Sequence, residues 1–433
     1  MQPSGRPLTS SDPARESARA MALLGAVVFV VSLGYGAGLP LLQLYLAQYL
    51  GTAEPGRVAW HVGMLGGVYT FALFLFAPWW GRLSDRRGRS VVLMAGFAAF
   101  LVGSAAAALA PTLGVVYVAR LLAGAGAAAI VPTAQAYISD ISTSAERSRR
   151  FVLLGSASFL GFIAGPALGS WIAGPVMGMS VGLMPGMVNW PTLLIAAGGI
   201  PILLLTSWSL GRDRAAAETS APPIGPIARK RFVLASMVLA LLASFAVGTF
   251  EVGFSLFGGQ TLGLTSGTMA VMFVTCSVAM LAAQSLLLLP AVRQRIDQRW
   301  VATTFAGAAL ALSFTAAVSD AAALGLLIAV VGTGVGLIGP VLSYELLERD
   351  RYEPGALLGR QAAAGNLGQA LGSFSAGSLF ALHPAAPFWM AAIVLLFGAG
   401  AAYALWGAAR DDEILAHNED PAFATQRNVL SCR

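Results

Sequence analysis

The chain has 433 residues, of which 57% are hydrophobic and only 11% charged, against roughly a quarter charged in soluble domains. That composition excludes a soluble globular domain and points to a membrane protein. The net charge of +6 could suggest a nucleic-acid partner, but where the basic residues fall along the chain says otherwise. With two cysteines, Cys276 and Cys432, and three scattered histidines, His61, His383 and His417, the chain has no disulfide framework or C-x-x-C site and little material for a metal centre.

Apolar stretches of about twenty residues, enough for a helix to cross roughly 30 Å of hydrocarbon, recur along nearly the whole chain. Twelve spans are expected, at about 21–48, 60–80, 90–110, 114–139, 151–174, 189–210, 232–258, 268–290, 300–319, 322–346, 357–381 and 386–408. All should be helical, because an open strand edge in lipid leaves backbone groups unbonded. A polar tail, 1–20, precedes span one; that span is too long for a signal-peptide core and lacks an A-x-A cleavage pattern, so it is expected to remain. Span one contains GAGLPLLQLYL, Gly36 to Leu46. After span two comes GRLSDRRGRS, Gly81 to Ser90, one carboxylate and four guanidiniums on a turn. Lipid anchoring accounts for the arginines, at about 1 kcal/mol each, but not for the ordered glycines and acid. Gly81 and Gly88 would permit a tight turn, and Asp85 can pair with Arg86 or Arg89.

Span four carries Arg120, a guanidinium that costs a few kcal/mol in hydrocarbon and should therefore face protein or a water cavity. It is either a hydrogen-bond hub or a participant in proton coupling. At the end of that span lie Tyr137, Asp140, Glu146 and Arg147; Asp140 either receives an arginine of the preceding turn or caps a helix in solvent. Span five reads GFIAGPALGSW, with Gly161, Gly165 and Gly169 four apart on one face, a stripe suited to close helix contact, and Pro166 adding a bend. A Met-rich outer connection from Gly174 is expected to be an interfacial hairpin or a lid.

The Pro-rich, charged segment 211–231 separates a first bundle, 21–210, from a second, 232–408, followed by a tail, 409–433. Span five has GPALGS and span eleven GQALGS, each the fifth helix of its half, as a duplicated unit predicts. Of the 26 Lys and Arg, 23 fall in the tails and even-numbered connections, the exceptions being Arg57, Arg120 and Arg360. This positive-inside bias puts both termini in the cytoplasm. Span seven holds Glu251 amid Phe250, Phe254 and Phe257. A structural ion pair, a carboxylate reaching outer water, and a proton- or cation-binding site compete to explain it, and intramembrane ionisable residues favour the last. Leaving water favours the neutral carboxyl, so such a group can take up and release a proton. Tyr35, Tyr69, Asn366 and Gln369 are candidate polar groups of a cavity between the halves, with Phe245 and Phe254 supplying apolar contact.

GRLSDRRGRS resembles the G-x-L-S-D-R-x-G-R-R signature between helices two and three of the major facilitator superfamily, departing at Ser90. The resemblance implies that Gly81, Asp85, Arg86, Gly88 and Arg89 form a latch on the cytoplasmic side. The run from Arg120 resembles the R-x-x-x-G-x-G-A-A motif of proton-linked members, and GFIAGPALGSW resembles the antiporter motif of exporters, with Ser170 for the last glycine. GAGLPLLQLYL is similar to the L-P-x-x-P-x-Y element. Together these imply a twelve-span drug:proton antiporter related to tetracycline exporters: an all-α membrane protein of two pseudo-symmetric six-helix bundles. Its second half has PAVRQRIDQRW in place of the latch, without the glycines.

The expected activity is export of a drug-like molecule or secreted metabolite from the cytoplasm in exchange for protons, with Glu251, Arg120 and Asp140 as coupling residues. No cofactor is expected beyond the proton, and no enzyme activity. The expected partners are an amphipathic or aromatic small molecule and the bilayer, not nucleic acid, and the expected unit is a monomer in the inner membrane. Import of a nutrient or siderophore is the alternative; a membrane sensor or embedded enzyme is a third class.

Overall fold

The computed structural model describes residues 13–51, 54–180, 188–210, 227–287, 289–293, 295–349 and 354–406. The tails, most of the 211–231 segment and much of the Met-rich connection lie outside the described residues. The described chain is all helical: α1 Pro13–Leu50, α2 Pro55–Arg87, α3 Arg89–Ala108, α4 Leu113–Ala127, α5 Ile130–Ile141, α6 Ser144–Ser180 and α7 Trp190–Ser209. These are followed by α8 Ile227–Leu256, α9 Ser266–Leu286, the one-turn α10 Pro290–Arg293, α11 Gln298–Thr315, α12 Ala321–Arg349, α13 Pro354–Leu382 and α14 Ala386–Ala401. Ten segments of the described residues are long and apolar enough to cross a membrane, α4 and α5 counting as one. The two others expected as spans, α11 and α13, run in the same bundle; α13 is the more polar, with Arg360, Gln361, Asn366 and Gln369 on it.

Local chemistry sets several boundaries. Thr112, Asn189, Thr265 and Asp297 each accept a backbone N–H of the first turn that follows, at the starts of α4, α7, α9 and α11. Gly88 separates α2 from α3 with φ 91°, a conformation that a side chain makes costly. Gly81, in contrast, lies inside α2 and makes no turn. Where a loop was expected from Gly174, α6 continues to Ser180.

Two helix sets pack in the same manner. In the first, the small face of α6 lies on α1: a Cβ at Gly165 would come within 2.6 Å of the Ala37 nitrogen and 2.7 Å of the Leu33 carbonyl. In the second, Gly368 and Gly372 of α13 press on the carbonyls of Leu241 and Phe245 in α8. GPALGS and GQALGS thus occupy equivalent places, the fifth helix of each set against the first. Gly124 of α4 abuts the Tyr69 carbonyl of α2, and Gly126 faces the α3 backbone at Gly96 and Phe100.

We call the end where α1 and α8 begin the near face and the opposite end the far face. The sets join toward the far face. Ala59, Gly63 and Gly67 of α2 interlock with Ser373, Phe374 and Gly377 of α13. Gln43 donates to the Ser255 carbonyl at 2.8 Å, and Ser170 to that of Ser266 at 3.0 Å. Beyond Leu256 the helix loosens into a π-helical turn, Phe257–Thr261, whose Gly259 lies against Gln43.

Candidate functional site

A cavity of about 380 Å³ separates the two sets at mid-height. On α1, α2, α6, α8, α9 and α13 its lining residues follow the inter-set contacts in the near-face direction. Tyr35 lies nearer than Gln43, Tyr69 than Gly67, Phe162 than Ser170, Glu251 than Ser255, Cys276 than Ser266, and Gln369 than Ser373. The cavity therefore lies on the near-face side of a joined far face. Its walls are predominantly apolar and aromatic, with Phe159, Phe162, Phe250 and Phe273 prominent.

Glu251 sits in this wall, 6% exposed. Tyr35 Oη donates to its Oε2 at 2.7 Å, and Gln369 Nε2 donates to the same oxygen at 3.1 Å and to Tyr35 Oη at 2.9 Å. Three helices, α1, α8 and α13, thus meet at one carboxylate oxygen. Among the described residues no cation is within ion-pair distance of Glu251. A carboxylate in mid-membrane costs about 2.5–3.5 kcal/mol on insertion scales, while hydrogen bonds to a charged group contribute about 1.5–3 kcal/mol each. The two donors are sufficient to offset the cost, so the group can remain buried without a counter-charge. Both act on Oε2, which leaves Oε1 as the oxygen available to a proton or a cationic ligand.

The aromatic neighbours continue the network. Tyr35 stacks on Tyr69 at 5.3 Å between ring centroids and on Phe162 at 6.0 Å. Arg120 lies behind Tyr69, its guanidinium carbon 5.7 Å from that ring's centroid and its nitrogens against Gly38. It reaches no carboxylate among the described residues and does not line the cavity. Asp140 is remote from Glu251: it accepts from Arg89 Nε at 3.3 Å at the near face. Arg89 also pairs with Asp85 and donates to Ser84 Oγ at 3.1 Å. Arg89 is the centre of this cluster; Arg86 points outward, exposed. Glu146 pairs with Arg150 at 3.3 Å.

Of the residues expected in the cavity, Tyr35, Tyr69, Glu251 and Gln369 line it, whereas Phe245, Phe254 and Asn366 do not. Phe254 is fully buried against Phe250 and Phe273. Gly161, Gly165 and Gly169 face α1, and Pro166 lies over Gly36, so this face packs within the first set, not between sets. Sequence reasoning overlooked Ser32 and Ser158, whose hydroxyls meet at 2.8 Å across the cavity wall, and Phe162, Cys276 and Met280. It also missed the inter-set seam, for which Ala59, Gly63 and Gly67, four apart, were the available signal.

Comparison with known proteins agrees with this architecture. Residues 24–349 match the family model described as Major Facilitator Superfamily. The chain is 24% identical over 378 residues to Multidrug resistance protein 2 of Bacillus subtilis (strain 168), covering 86% of this chain and 92% of that one. It is 30% identical over 169 residues to the class B tetracycline resistance protein of Escherichia coli, 39% and 41% of the respective chains. A crystal structure of a bacterial homologue of the human lysosomal transporter Spinster, inward-facing and unoccupied, shares the fold with a TM-score of 0.67 at 12% identity, covering 91% of this chain and 97% of that one. With a family match across three quarters of its length and two helical sets around a central cavity, the chain belongs to the major facilitator superfamily of multi-pass membrane transporters.

Proposed function

We propose that the chain exports an amphipathic or aromatic small molecule from the cytoplasm in exchange for protons, with Glu251 as the proton carrier. The observation that carries this reading is a buried carboxyl, without a cation partner among the described residues, held by Tyr35 and Gln369 in the wall of a largely apolar cavity. The drug-resistance names of the relatives support the direction and the substrate class. The basic bias of the tails and even-numbered connections supports a near face turned to the cytoplasm. In this frame the units are 21–210 and 232–408, joined by 211–231, acting as a monomer in the inner membrane.

In the proposed cycle, Glu251 takes a proton when the cavity opens outward and loses it inward as substrate binds. Each proton moving down 100 mV contributes about 2.3 kcal/mol, besides any pH gradient. The Arg89 cluster with Asp85 and Asp140 acts as the near-face latch, and Arg120 acts on Glu251 through Tyr69 and Tyr35. The test is substrate flux in proteoliposomes with an imposed pH gradient, comparing wild type with Glu251→Gln. Wild-type flux should follow the gradient, and the variant should lose that dependence. Flux indifferent to both gradient and mutation would refute the proposal.

A further inference from the structure

We propose that Arg120 anchors a binding site for one small inorganic anion, of the size and charge of chloride, beside the Tyr69 ring and apart from the transport cavity. A separate pocket of about 60 Å³ lies there, in the first helical set, lined by Tyr45, Tyr69, Ser104, Arg120, Asn189 and Thr192 among others. Among the described residues, its lining contains no carboxylate and no cation besides Arg120. The polar groups are suited to donate. Asn189 Oδ1 is occupied by the Thr192 N–H at 3.1 Å, which leaves its Nδ2 as a donor. Ser104 is buried, with a hydroxyl free to turn either way.

Energetics favour a counter-ion. A guanidinium within the membrane costs at least about 2.5–3.5 kcal/mol, and a cation–π contact of the kind made with Tyr69 contributes only about 0.5–2 kcal/mol. Arg120 makes no ion pair among the described residues to supply the remainder. At about 60 Å³ the pocket has room for a chloride-sized ion and falls far below the roughly 300–1,000 Å³ of drug-sized sites. Tyr69 is the one described residue common to the two linings, so a free ion fits better than a carboxylate of the transported molecule. Tyr69 lines both spaces and stacks on Tyr35, which holds Glu251. Occupancy of the anion site is therefore linked mechanically to the carboxyl, whatever molecule or ion the cavity handles.

Full-length protein purified in detergent, without transport substrate, tests this at fixed pH and ionic strength. Radiolabelled chloride should bind saturably, and sodium chloride should raise the melting temperature relative to sodium gluconate. Arg120→Gln should lose both effects. Ser104→Ala removes a single hydroxyl, so it keeps the test valid if the arginine variant misfolds; it should weaken chloride binding by about tenfold or more. Bromide-soaked crystals should show an anomalous peak beside Arg120. Equal melting temperatures in chloride and gluconate without saturable binding, wild-type chloride affinity in Ser104→Ala, or a bromide peak only elsewhere would overturn the assignment.

Discussion

Replacing Gly63 with alanine should open the far face. A Cβ at this position would lie 2.7 Å from the Ser373 carbonyl, 2.8 Å from the Gly377 nitrogen and 3.0 Å from its Cα, all backbone atoms of α13. Ordinary contact begins near 3.4 Å, so the closest of these is about 0.7 Å short and no side-chain rotation can relieve it. The two helices must move apart. Overpacking of this kind costs about 1–3 kcal/mol, which would shift the balance from far-closed to far-open states by about 5- to 150-fold. Gly66 supplies the control. On the same helix, its added Cβ meets Val252 at 3.5 Å and Ser373 Cβ at 3.6 Å, ordinary contact, while the gain in helix propensity, up to about 1 kcal/mol, is common to both substitutions. Spin labels at Glu54→Cys and Leu382→Cys, both exposed at the far face, would report the opening by electron–electron distance measurement after Cys276 and Cys432 are changed to serine. Gly63→Ala should lengthen the distance and Gly66→Ala should leave it as in the parent. Identical distributions for Gly63→Ala and parent, or equal shifts for both substitutions, would refute the packing argument.

Asp85→Asn should insert and fold normally, because the Arg89–Asp85 pair has one exposed partner and such pairs contribute about 0–1 kcal/mol; its transport rate should fall, and a normal rate would remove Asp85 from gating. Pro340 has no N–H to give the Gly336 carbonyl, and Gln284 Nε2 donates to that oxygen instead, at 2.9 Å. Gln284→Met should therefore cost about 1–3 kcal/mol, read as a lower melting temperature in detergent; an unchanged value would mean the carbonyl is satisfied in another way.

Glu251 illustrates how far the residues could be interpreted before any tertiary contact was known. An acid in an apolar run marks a special position through solvation cost alone, and Tyr35 and Gln369 were recognisable as polar groups in spans. Their meeting was not legible, since Gln369 lies 118 residues from Glu251 and 334 from Tyr35. The phenylalanines fell similarly. Phe245, Phe250 and Phe254 all surround the acid in sequence, yet Phe250 lines the cavity while Phe254 packs behind it. The rotation of α8 decides this, and that rotation is set by Gly368 and Gly372 pressing on its backbone. Gly81 failed as a turn residue because helix propensity and the apolar run before it carry α2 on to Arg87, and of the two glycines Gly88 alone adopts positive φ.

By itself the sequence determined the class of molecule: a chain of apolar spans with basic residues on alternate connections, since hydrocarbon thickness and charge cost act on each segment separately. It also identified the stripe at Gly161, Gly165 and Gly169 as a packing face, because spacing four residues apart is a property of one helix. The partner of each face was decided only by the tertiary structure. It set α6 against α1, the Ala59, Gly63 and Gly67 face of α2 against α13, Arg89 against Asp140, and Arg120 behind Tyr69 rather than beside Glu251. The reason is physical: lipid solvates every apolar helix face alike, so which faces meet depends on close complementarity of shape and on buried polar partners, and these exist only once the helices are assembled.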